Sequence, residues 1–262
     1  MIKPFFSIIT ATFNSEHVIE GCLKSVFSQN FTDYEHLILD GKSSDKSIEL
    51  IDAFLAKQPE YASRVKIVSE PDLGIYDAFN KGLDLARGQF ILYLGSDDRL
   101  FDEDVLSKVF VQLNAESQLK IAYGTVVFTA FGSSKIDREW LADTYIPGSV
   151  AWGWMPPFSG TFLHLPTVKQ QKMRFDIKYR IAADLKLVGQ LFGIVKSDQV
   201  GVLDFRVVRM LSGGVSGNSL WSIKRKLVED CRVYRELGLT QIQALIAVLV
   251  KRCRKIKQLR LS

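Results

Sequence analysis

The residues best suited to chemistry in this chain are aspartates that follow apolar, strand-like runs. Asp97 and Asp98 come just after the run FILYL, and Asp40 closes the run YEHLIL. Carboxylate oxygens are the ligands that Mg²⁺ and Mn²⁺ prefer, and substrate phosphates often complete the coordination shell of these ions. The Asp97-Asp98 pair therefore indicates a site for a divalent metal and a diphosphate, although aspartates are also common in plain turns at strand ends.

Polar residues follow each of the first four predicted strands. The four segments are, in order, TATFNS, DGKSSD, EPDLGIYD and GSDD. Because ligands of open parallel sheets bind outside the carboxyl ends of the strands, the four segments are expected to meet in one crevice. The chain has neither a Walker pattern nor a GxGxxG motif, which removes the main support for an ATPase or a dinucleotide-binding enzyme.

The elements that must position these segments alternate along the first half of the chain. Apolar runs rich in β-branched residues alternate with helical patterns, which is typical of an α/β fold with a mostly parallel central sheet and flanking helices. The predicted strands are Phe5–Thr12, Tyr34–Asp40, Val65–Ser69, Phe90–Leu94 and Ile121–Thr129, and the predicted helices are Glu16–Gln29, Asp45–Gln58, Tyr76–Ala86 and Glu103–Asn114. The weakly periodic region 132–175 is interpreted as loops and short strands.

Asp184 is the most informative carboxylate of the second half. It lies beside the helical apolar stripe of Ile181 and Leu185, where an unpaired carboxylate is costly, so it needs either a function or a partner such as Arg180. His164 could contact a phosphate or a metal, but a lone histidine on a strand is more often structural. A strand is predicted over Val200–Arg209, and the SGGVSGN segment after it suits either a mobile lid or a plain turn.

Composition and charge narrow the class of protein. The chain has 262 residues, 47% of them hydrophobic, and its three cysteines form no CxxC pair, so neither a zinc site nor a disulfide framework is indicated. The N-terminus does not resemble a signal peptide, and a reducing cytoplasm is the expected location. The net charge is +5, but residues 219–262 carry +8 and the rest −3, which argues against a nucleic-acid groove across the fold.

The C-terminal segment is predicted to be helical from about Leu220 onward and amphipathic toward its end. One stripe contains the apolar residues Ile242, Leu245, Ile246, Leu249, Cys253 and Ile256, while Lys251, Arg254 and Lys255 lie elsewhere on the circumference. Such a basic amphipathic helix suits the surface of an anionic membrane. It equally suits a helix that packs on the body of the protein with solvated lysines and arginines.

Several blocks of the sequence together resemble family 2 glycosyltransferases, which have the GT-A nucleotide-sugar-binding fold. The blocks are SIITATFNSEHVIEGCLKSVFSQNF, HLILDGKSSDKSIELI, SEPDLGIYDAFNKGLDLARGQFILYLGSDD and YRIAADLKL, in the family's order. The resemblance covers roughly Phe5 to Gly217 and is strongest to members that assemble cell-surface polysaccharides. It divides the chain into a GT-A domain over 1–217 and a basic amphipathic helical segment over 218–262.

The resemblance also implies roles for individual residues. Asp98 would bind Mn²⁺ or Mg²⁺, and Asp97 would lie nearer the ribose, with Ser96 standing where many members carry a further aspartate. Asp184 would be the catalytic base. The other residues implied in binding the nucleotide sugar are Thr10, Thr12 and Asn14 beside the nucleoside, Asp40 at the base, and Asp72, Asn80 and Lys81 along the sugar-diphosphate.

The expected function is transfer of a sugar from a nucleoside-diphosphate sugar, UDP-linked by preference, to an acceptor hydroxyl. Inversion is expected from the resemblance, and the acceptor would be a glycan or a lipid-linked glycan. A membrane-binding tail would place the cytoplasmic enzyme at the inner face of the membrane. The alternatives are a nucleotidyltransferase, although TATFNSE lacks the usual Gly-rich basic loop, and a non-catalytic scaffold that binds a membrane or a partner.

Overall fold

The computed structural model describes residues 3–212 and 220–259 of the chain. Nine strands lie in the described part: β1 (Phe6–Thr12), β2 (Tyr34–Asp40), β3 (Val65–Ser69), β4 (Phe90–Gly95), β5 (Arg99–Leu100), β6 (Ile121–Thr129), β7 (Ile136–Trp140), β8 (Thr161–His164) and β9 (Val200–Leu211). The α-helices there are α1 (Ile19–Phe27), α2 (Ser47–Ala56), α3 (Pro59–Ala62), α4 (Ile75–Leu85), α5 (Val105–Ala115), α6 (Leu165–Gln170), α7 (Ala183–Phe192), α8 (Leu220–Glu236) and α9 (Gln241–Leu259). The predicted SGGVSGN segment lies outside the described residues from Gly213 onward.

The first four long strands form the parallel half of the central sheet. Their order is β3-β2-β1-β4, and in this register Thr12 faces Asp40 while Ala11 faces Gly95. Every residue of β1 and β2 is buried, because helices cover both faces of the sheet. This arrangement confirms the predicted α/β fold and brings the carboxyl ends of these strands to one edge.

The other half of the sheet is mixed rather than parallel. β8 pairs antiparallel with β4 on one side and with β6 on the other, and β6 then pairs parallel with the long strand β9. The short strands β5 and β7 pair antiparallel with β9 and β6. Region 132–175 supplies β7 and β8, as its loop-and-short-strand interpretation predicts, and also the short helix α6, which the weak periodicity did not reveal.

The C-terminal segment forms two helices where one was predicted. Gly238 has a φ of 96°, a left-handed conformation that ends α8. The amide of Leu239 donates back to the carbonyl of Tyr234 at 3.1 Å, which satisfies one of the last carbonyls of that helix. The amide of Thr240 then donates to the side chain of Gln243 at 2.9 Å, one arm of a capping box that begins α9.

Helix α9 packs on the body through its small residues. Ala244, Ala247 and Val248 are buried in the same core cluster as residues of β1 and β4. A methyl group at Gly153 would lie 2.3 Å from the carbonyl oxygen of Ala247, so the helix touches the backbone of the body directly.

The predicted apolar stripe of α9 points the other way. Ile242 is 71% exposed and Leu249 62% exposed, and Leu245 and Ile246 also face outward. The side chain of Ile256 lies outside the described part. Helix α9 therefore packs on the body, as one alternative predicted, yet leaves its larger apolar side chains uncovered. In residues 3–212 and 220–259, no helix is both long and apolar enough to cross a membrane.

Candidate active site

Hydrogen bonds connect the polar segments at the carboxyl edge of the sheet. The amide of Asn14, a residue with a φ of 48°, donates to the hydroxyl of Ser43 at 2.9 Å. The Asn14 side-chain oxygen accepts from the amide of Ser44, also at 2.9 Å. One residue further along, the hydroxyl of Ser15 lies 2.8 Å from that of Ser96. The segments after β1, β2 and β4 thus form one connected surface, which is where the prediction placed a ligand.

Asp40 lies at this edge but its carboxylate is already engaged. It accepts from the amide and the hydroxyl of Ser43 and, at 2.6 Å, from the hydroxyl of Ser69 at the end of β3. These bonds occupy most of the acceptor capacity of a carboxylate. Contact between Asp40 and a nucleobase therefore requires one of the two serines to turn away.

Asp72, which follows β3, reaches across to the loop after β2. A methyl group at Gly41 would lie 2.6 Å from its carboxylate and 3.3 Å from the ring of Phe13. Asp72 also accepts the amide of Gly74 at 2.8 Å. The Phe13 ring, 60% exposed, has an open face beside Asp72. Sequence reasoning did not select Phe13, because an apolar residue beside a strand end carries no distinctive signal.

Two of the predicted binding residues are turned into the protein. The hydroxyl of Thr10 is fully buried and lies 2.8 Å from Nε2 of His36, whose pKa burial lowers to about 3, so that this imidazole is neutral. The side-chain amide of Asn80 donates to the carbonyl of Phe175 and accepts its amide, both at 2.9 Å. Both side chains are therefore engaged by protein partners, and ligand contact by Thr10 and Asn80 stays a prediction.

Thr12 has a hydroxyl that is free to bond to a ligand, whereas Lys81 is engaged by protein partners. The hydroxyl of Thr12 is buried at the end of β1, and it has no hydrogen-bond partner in the described part of the chain. The ammonium of Lys81 donates to the carbonyl of Pro71 at 2.7 Å and pairs with Glu70 at 3.0 Å. Lys81 thus fixes the backbone beside Asp72, while Thr12 keeps its hydrogen-bonding capacity.

The loop after β4 presents Asp97 and Asp98 from a tight turn. Asp98 is 3% exposed, and one of its oxygens accepts the amide of Gly95 at 3.1 Å. The other oxygen is buried and makes no hydrogen bond of ordinary length within residues 3–212 and 220–259, although the Ser159 side chain is close enough to lower the pKa of this carboxyl. Burial and the neighbouring charge of Asp97 raise the pKa of Asp98 to about 8, and burial likewise raises the pKa of Asp97.

These features fit a divalent cation. A buried carboxylate oxygen without a partner, beside a second carboxylate, is stabilised when a metal ion neutralises the pair. In the described ranges, no three Asp, Glu, His or Cys side chains stand close enough to hold a metal alone. A cation at Asp98 would therefore take further ligands from elsewhere, and phosphate oxygens are the usual ones.

Asp184 is the second residue of α7 and is partly buried. Its carboxylate accepts the amide of Leu185 at 2.7 Å. Burial raises its pKa, while the positive charges of Lys251 and Lys226 oppose that shift. A raised pKa suits a group that must accept a proton near neutral pH. Arg180, the alternative partner suggested by the sequence, forms no hydrogen bond or ion pair with Asp184 within the described residues.

Tyr76 connects Asp184 to the edge of the sheet. It follows Asp72 at the start of α4, and its hydroxyl donates to the carbonyl of Ile181 at 2.9 Å. Burial first, and then the negative charge of Asp184, raise the pKa of Tyr76 well above its usual value, so the phenol stays protonated. The structure thus brings Asp184 beside the segment that carries Asp72.

The C-terminal helices contribute further charged groups that sequence reasoning missed. Glu229 of α8 accepts the amides of Arg180, Ile181 and Ala182, directly before α7. Lys226, one turn earlier, is largely buried, and burial lowers its pKa. The sequence signal for these residues is only a mixture of charges on a helical segment, which does not single out Lys226 or Glu229.

His164 and two cavities lie away from this surface. His164 pairs with Phe90, the first residue of β4, and so stands at the opposite edge of the sheet, 2.8 Å from the hydroxyl of Thr167. It is structural, as the more common interpretation of a lone histidine has it. One cavity of about 580 Å³ lies at the start of β2 and β3, and another lies beside α7 near Arg174; neither contains a predicted site residue.

Comparisons with known proteins agree with this geometry. The family model described as "Glycosyl transferase family 2" matches residues 7–167. A curated relative, the PGL/p-HBAD biosynthesis glycosyltransferase of Mycobacterium bovis, is 36% identical over 143 residues, which make up 53% of this chain and 55% of that protein. The chain thus matches only about half the length of this relative.

Two solved structures share the fold. S. aureus TarS in complex with UDP-GlcNAc has a TM-score of 0.66 at 15% identity, and the match covers 97% of this chain and 73% of that one. The mannosyltransferase PcManGT from Pyrobaculum calidifontis, in complex with GDP-Man and Mn²⁺, has a TM-score of 0.62 at 13% identity, with coverage of 98% and 76%.

Proposed function

We propose that this chain, which belongs to glycosyl transferase family 2, is a glycosyltransferase that transfers a sugar from a UDP-sugar to an acceptor hydroxyl with inversion, assisted by Mn²⁺ or Mg²⁺. The nucleotide sugar would bind along the carboxyl edge of β1 to β4. Phe13, Thr12 and Asn14 would lie along the nucleoside, and Asp72, Asp97 and Asp98 along the ribose and diphosphate.

The observation that carries the proposal is the unpartnered, buried oxygen of Asp98 beside Asp97. A diphosphate is repelled by an edge that carries Asp40, Asp72 and these two residues, unless a cation lies between them. The same edge adjoins Asp184 through Tyr76, so a donor held there would have a partly buried base close to it. Neither a nucleotidyltransferase nor a scaffold needs that base.

In the proposed mechanism, the acceptor hydroxyl loses its proton to Asp184 as its oxygen attacks the anomeric carbon. The bond from that carbon to the diphosphate oxygen breaks on the opposite face, which inverts the configuration. A divalent cation held by Asp98 would supply charge neutralisation for the departing nucleoside diphosphate. Tyr76 stays protonated and holds the backbone ahead of α7, so that the Asp184 carboxylate keeps its direction.

The acceptor is proposed to be a glycan or a lipid-linked glycan that the enzyme meets at a membrane surface. The exposed stripe of α9, with Ile242 and Leu249 outermost, offers an apolar face on a basic helix. Such a face gains free energy by entering the boundary between headgroups and acyl chains of an anionic bilayer. This face supports a peripheral position on an anionic membrane, which we propose to be its inner face.

A thermal-shift panel with a turnover assay tests the proposed function. UDP, UDP-GlcNAc, UDP-glucose, UDP-galactose, GDP-mannose and ATP are each added with and without Mn²⁺, and release of nucleoside diphosphate is measured. A UDP-sugar at 100 times its dissociation constant should stabilise the native state by about 2.7 kcal/mol. That stabilisation should require Mn²⁺ and disappear in Asp98→Asn, but persist in Asp52→Asn, which removes an exposed carboxylate.

Two results would contradict the proposal. If UDP-sugars stabilise the protein equally with and without Mn²⁺, and equally in Asp98→Asn, the proposed metal site at Asp98 is wrong. Binding of ATP with release of pyrophosphate would favour a nucleotidyltransferase instead.

A further inference from the structure

The amides that lead into α7 have an acceptor from a distant part of the chain. Helix N-termini leave backbone amides without partners inside the helix, and Ala182, which precedes α7, gives no side-chain cap. One carboxylate oxygen of Glu229 accepts the amides of Ile181 at 2.8 Å and Ala182 at 3.1 Å. The other accepts the amide of Arg180 at 3.3 Å. A single side chain from α8 therefore holds the N-cap residue Ala182 and the two residues before it, and this contact is called the cap below.

The charge and direction of Glu229 are fixed by its surroundings. It is 5% exposed, and the guanidinium of Arg225, one turn earlier on α8, donates to it at 2.8 Å. Burial alone would raise the pKa of Glu229, but Arg225 and the three amides outweigh burial and hold it below the usual value. The carboxylate is thus ionised at neutral pH, and a negative charge at a helix N-terminus is favourable.

This cap acts on the residues directly ahead of Asp184. The residue Ile181 is held from two sides, because its amide donates to Glu229 while its carbonyl accepts from Tyr76. Asp184 follows three residues later in the first turn of α7, so the direction of its side chain depends on where that turn begins. Its own contact with the Leu185 amide is local and does not fix the turn against the sheet.

We propose that Glu229 is a positioning residue for Asp184, so that the C-terminal helix pair completes the active site. This inference rests on the proposed role of Asp184 as the base. A small displacement of a catalytic group can lower turnover by about 100-fold without touching the substrate-binding surface. Loss of the cap is therefore expected to lower kcat while the donor, held on the other side of Tyr76, still binds.

The chain provides a matched control on the same helix. Glu236 lies about two turns further along α8 and also bonds to the neighbourhood of α7, through Lys186 and, at 2.8 Å, through the hydroxyl of Tyr179. It makes no contact with the amides before Asp184 in the described part of the chain. Glu236→Gln thus weakens the packing between α7 and α8 without releasing the cap.

The test compares Glu229→Gln, Glu236→Gln and Asp184→Asn in the full chain. Release of UDP from UDP-GlcNAc, or from whichever UDP-sugar turns over fastest, is followed with Mn²⁺ at a temperature below the melting point of every variant. Glu229→Gln should lower kcat at least tenfold, change the donor KM less than twofold, and displace the low-pH limb of kcat. Glu236→Gln should keep kcat within twofold, whatever its loss of melting temperature.

The outcomes separate this inference from the proposed function. Wild-type kcat in Glu229→Gln, together with an inactive Asp184→Asn, overturns the positioning role and leaves the base assignment standing. Wild-type kcat in Asp184→Asn overturns both. If Glu229→Gln does not fold, Arg225→Gln takes its place, since it keeps the carboxylate but removes its ion pair; an unchanged kcat in that variant counts against the inference.

Discussion

The hydroxyl of Tyr76 donates to the carbonyl of Ile181 at 2.9 Å, although the two residues are 105 positions apart. This bond joins the segment that carries Asp72 to the segment that carries Asp184. The proposed donor site and the proposed base are thus joined by a hydrogen bond.

Tyr76→Phe should weaken catalysis more than donor binding. The substitution keeps the ring, which stacks on Phe175 at a centroid distance of 5.2 Å, and removes the hydroxyl that bonds to Ile181 and lies beside Asp184. A net loss of about 1 kcal/mol corresponds to a fall in kcat of about fivefold. Steady-state kinetics with a UDP-sugar measure this, and Tyr145→Phe, remote from the base, is the control. Equal kcat values for Tyr76→Phe and wild type would refute the prediction.

Asp184→Asn should lower kcat by about 100-fold or more and preserve the donor KM, since general-base contributions have this scale. The pH dependence has a defined sign. Only the ionised carboxylate accepts a proton, and burial raises its pKa, so kcat should rise with pH through a value above that of an exposed aspartate. Asp198→Asn, on the surface, should leave the profile unchanged. A kcat independent of pH from 4 to 8 would dismiss Asp184 as the base.

Gly41→Ala should weaken donor binding without lowering kcat. The added methyl group would lie 2.6 Å from the Asp72 carboxylate and would displace it from the donor edge. We expect the donor KM to rise about tenfold, which corresponds to about 1.4 kcal/mol. The double variant Gly41→Ala with Asp72→Ala should bind as Asp72→Ala alone does, because the clash is then absent. Additive effects in this cycle would contradict the explanation.

Leu245→Gln together with Leu249→Gln should weaken binding to vesicles of phosphatidylcholine and phosphatidylglycerol by about tenfold or more, because each exposed leucine contributes apolar area to the membrane contact. Co-sedimentation measures the effect. Val111→Gln removes an exposed apolar side chain on α5 and serves as the control. Deletion of α9 is a poorer test, since it would uncover the buried Ala244 and Ala247. Unchanged sedimentation of the double variant would exclude this face as the anchor.

The sequence predicted the parallel half of the fold because its signals there are local. Alternating apolar runs and helical periods identify β1 to β4 and their helices, and strand ends in parallel sheets always share an edge. The mixed half depends on pairings between distant strands, such as Phe90 with His164, which no local pattern encodes. The Gly238 turn was predictable in principle, since a glycine followed by Thr240-x-x-Gln243 is a typical pair of stop and start signals.

The sequence could suggest which residues form the candidate site, but not which way their side chains point. Thr10 and Thr12 are two residues apart on β1 and so point to the same face of the sheet, yet His36 takes the hydroxyl of Thr10, while that of Thr12 has no partner in the described residues. Asn80 was predicted from its block, but the backbone of Phe175 takes its amide. Whether a polar side chain serves a ligand or the protein depends on neighbours that are remote in sequence.

Hydrophobic cores usually bury large apolar side chains, but α9 buries small ones, because Gly153 and Ala247 are in close contact. Its inward positions hold small residues because there is no space for larger ones, and its outward positions hold leucine and isoleucine. A bulkier residue at Ala244 or Ala247 would push α9 off the body of the protein. Lys251, which lies on α9, would then move away from Asp184. The distance between α9 and the body therefore determines how strongly the charge of Lys251 acts on Asp184, and the small residues at the contact keep that distance short.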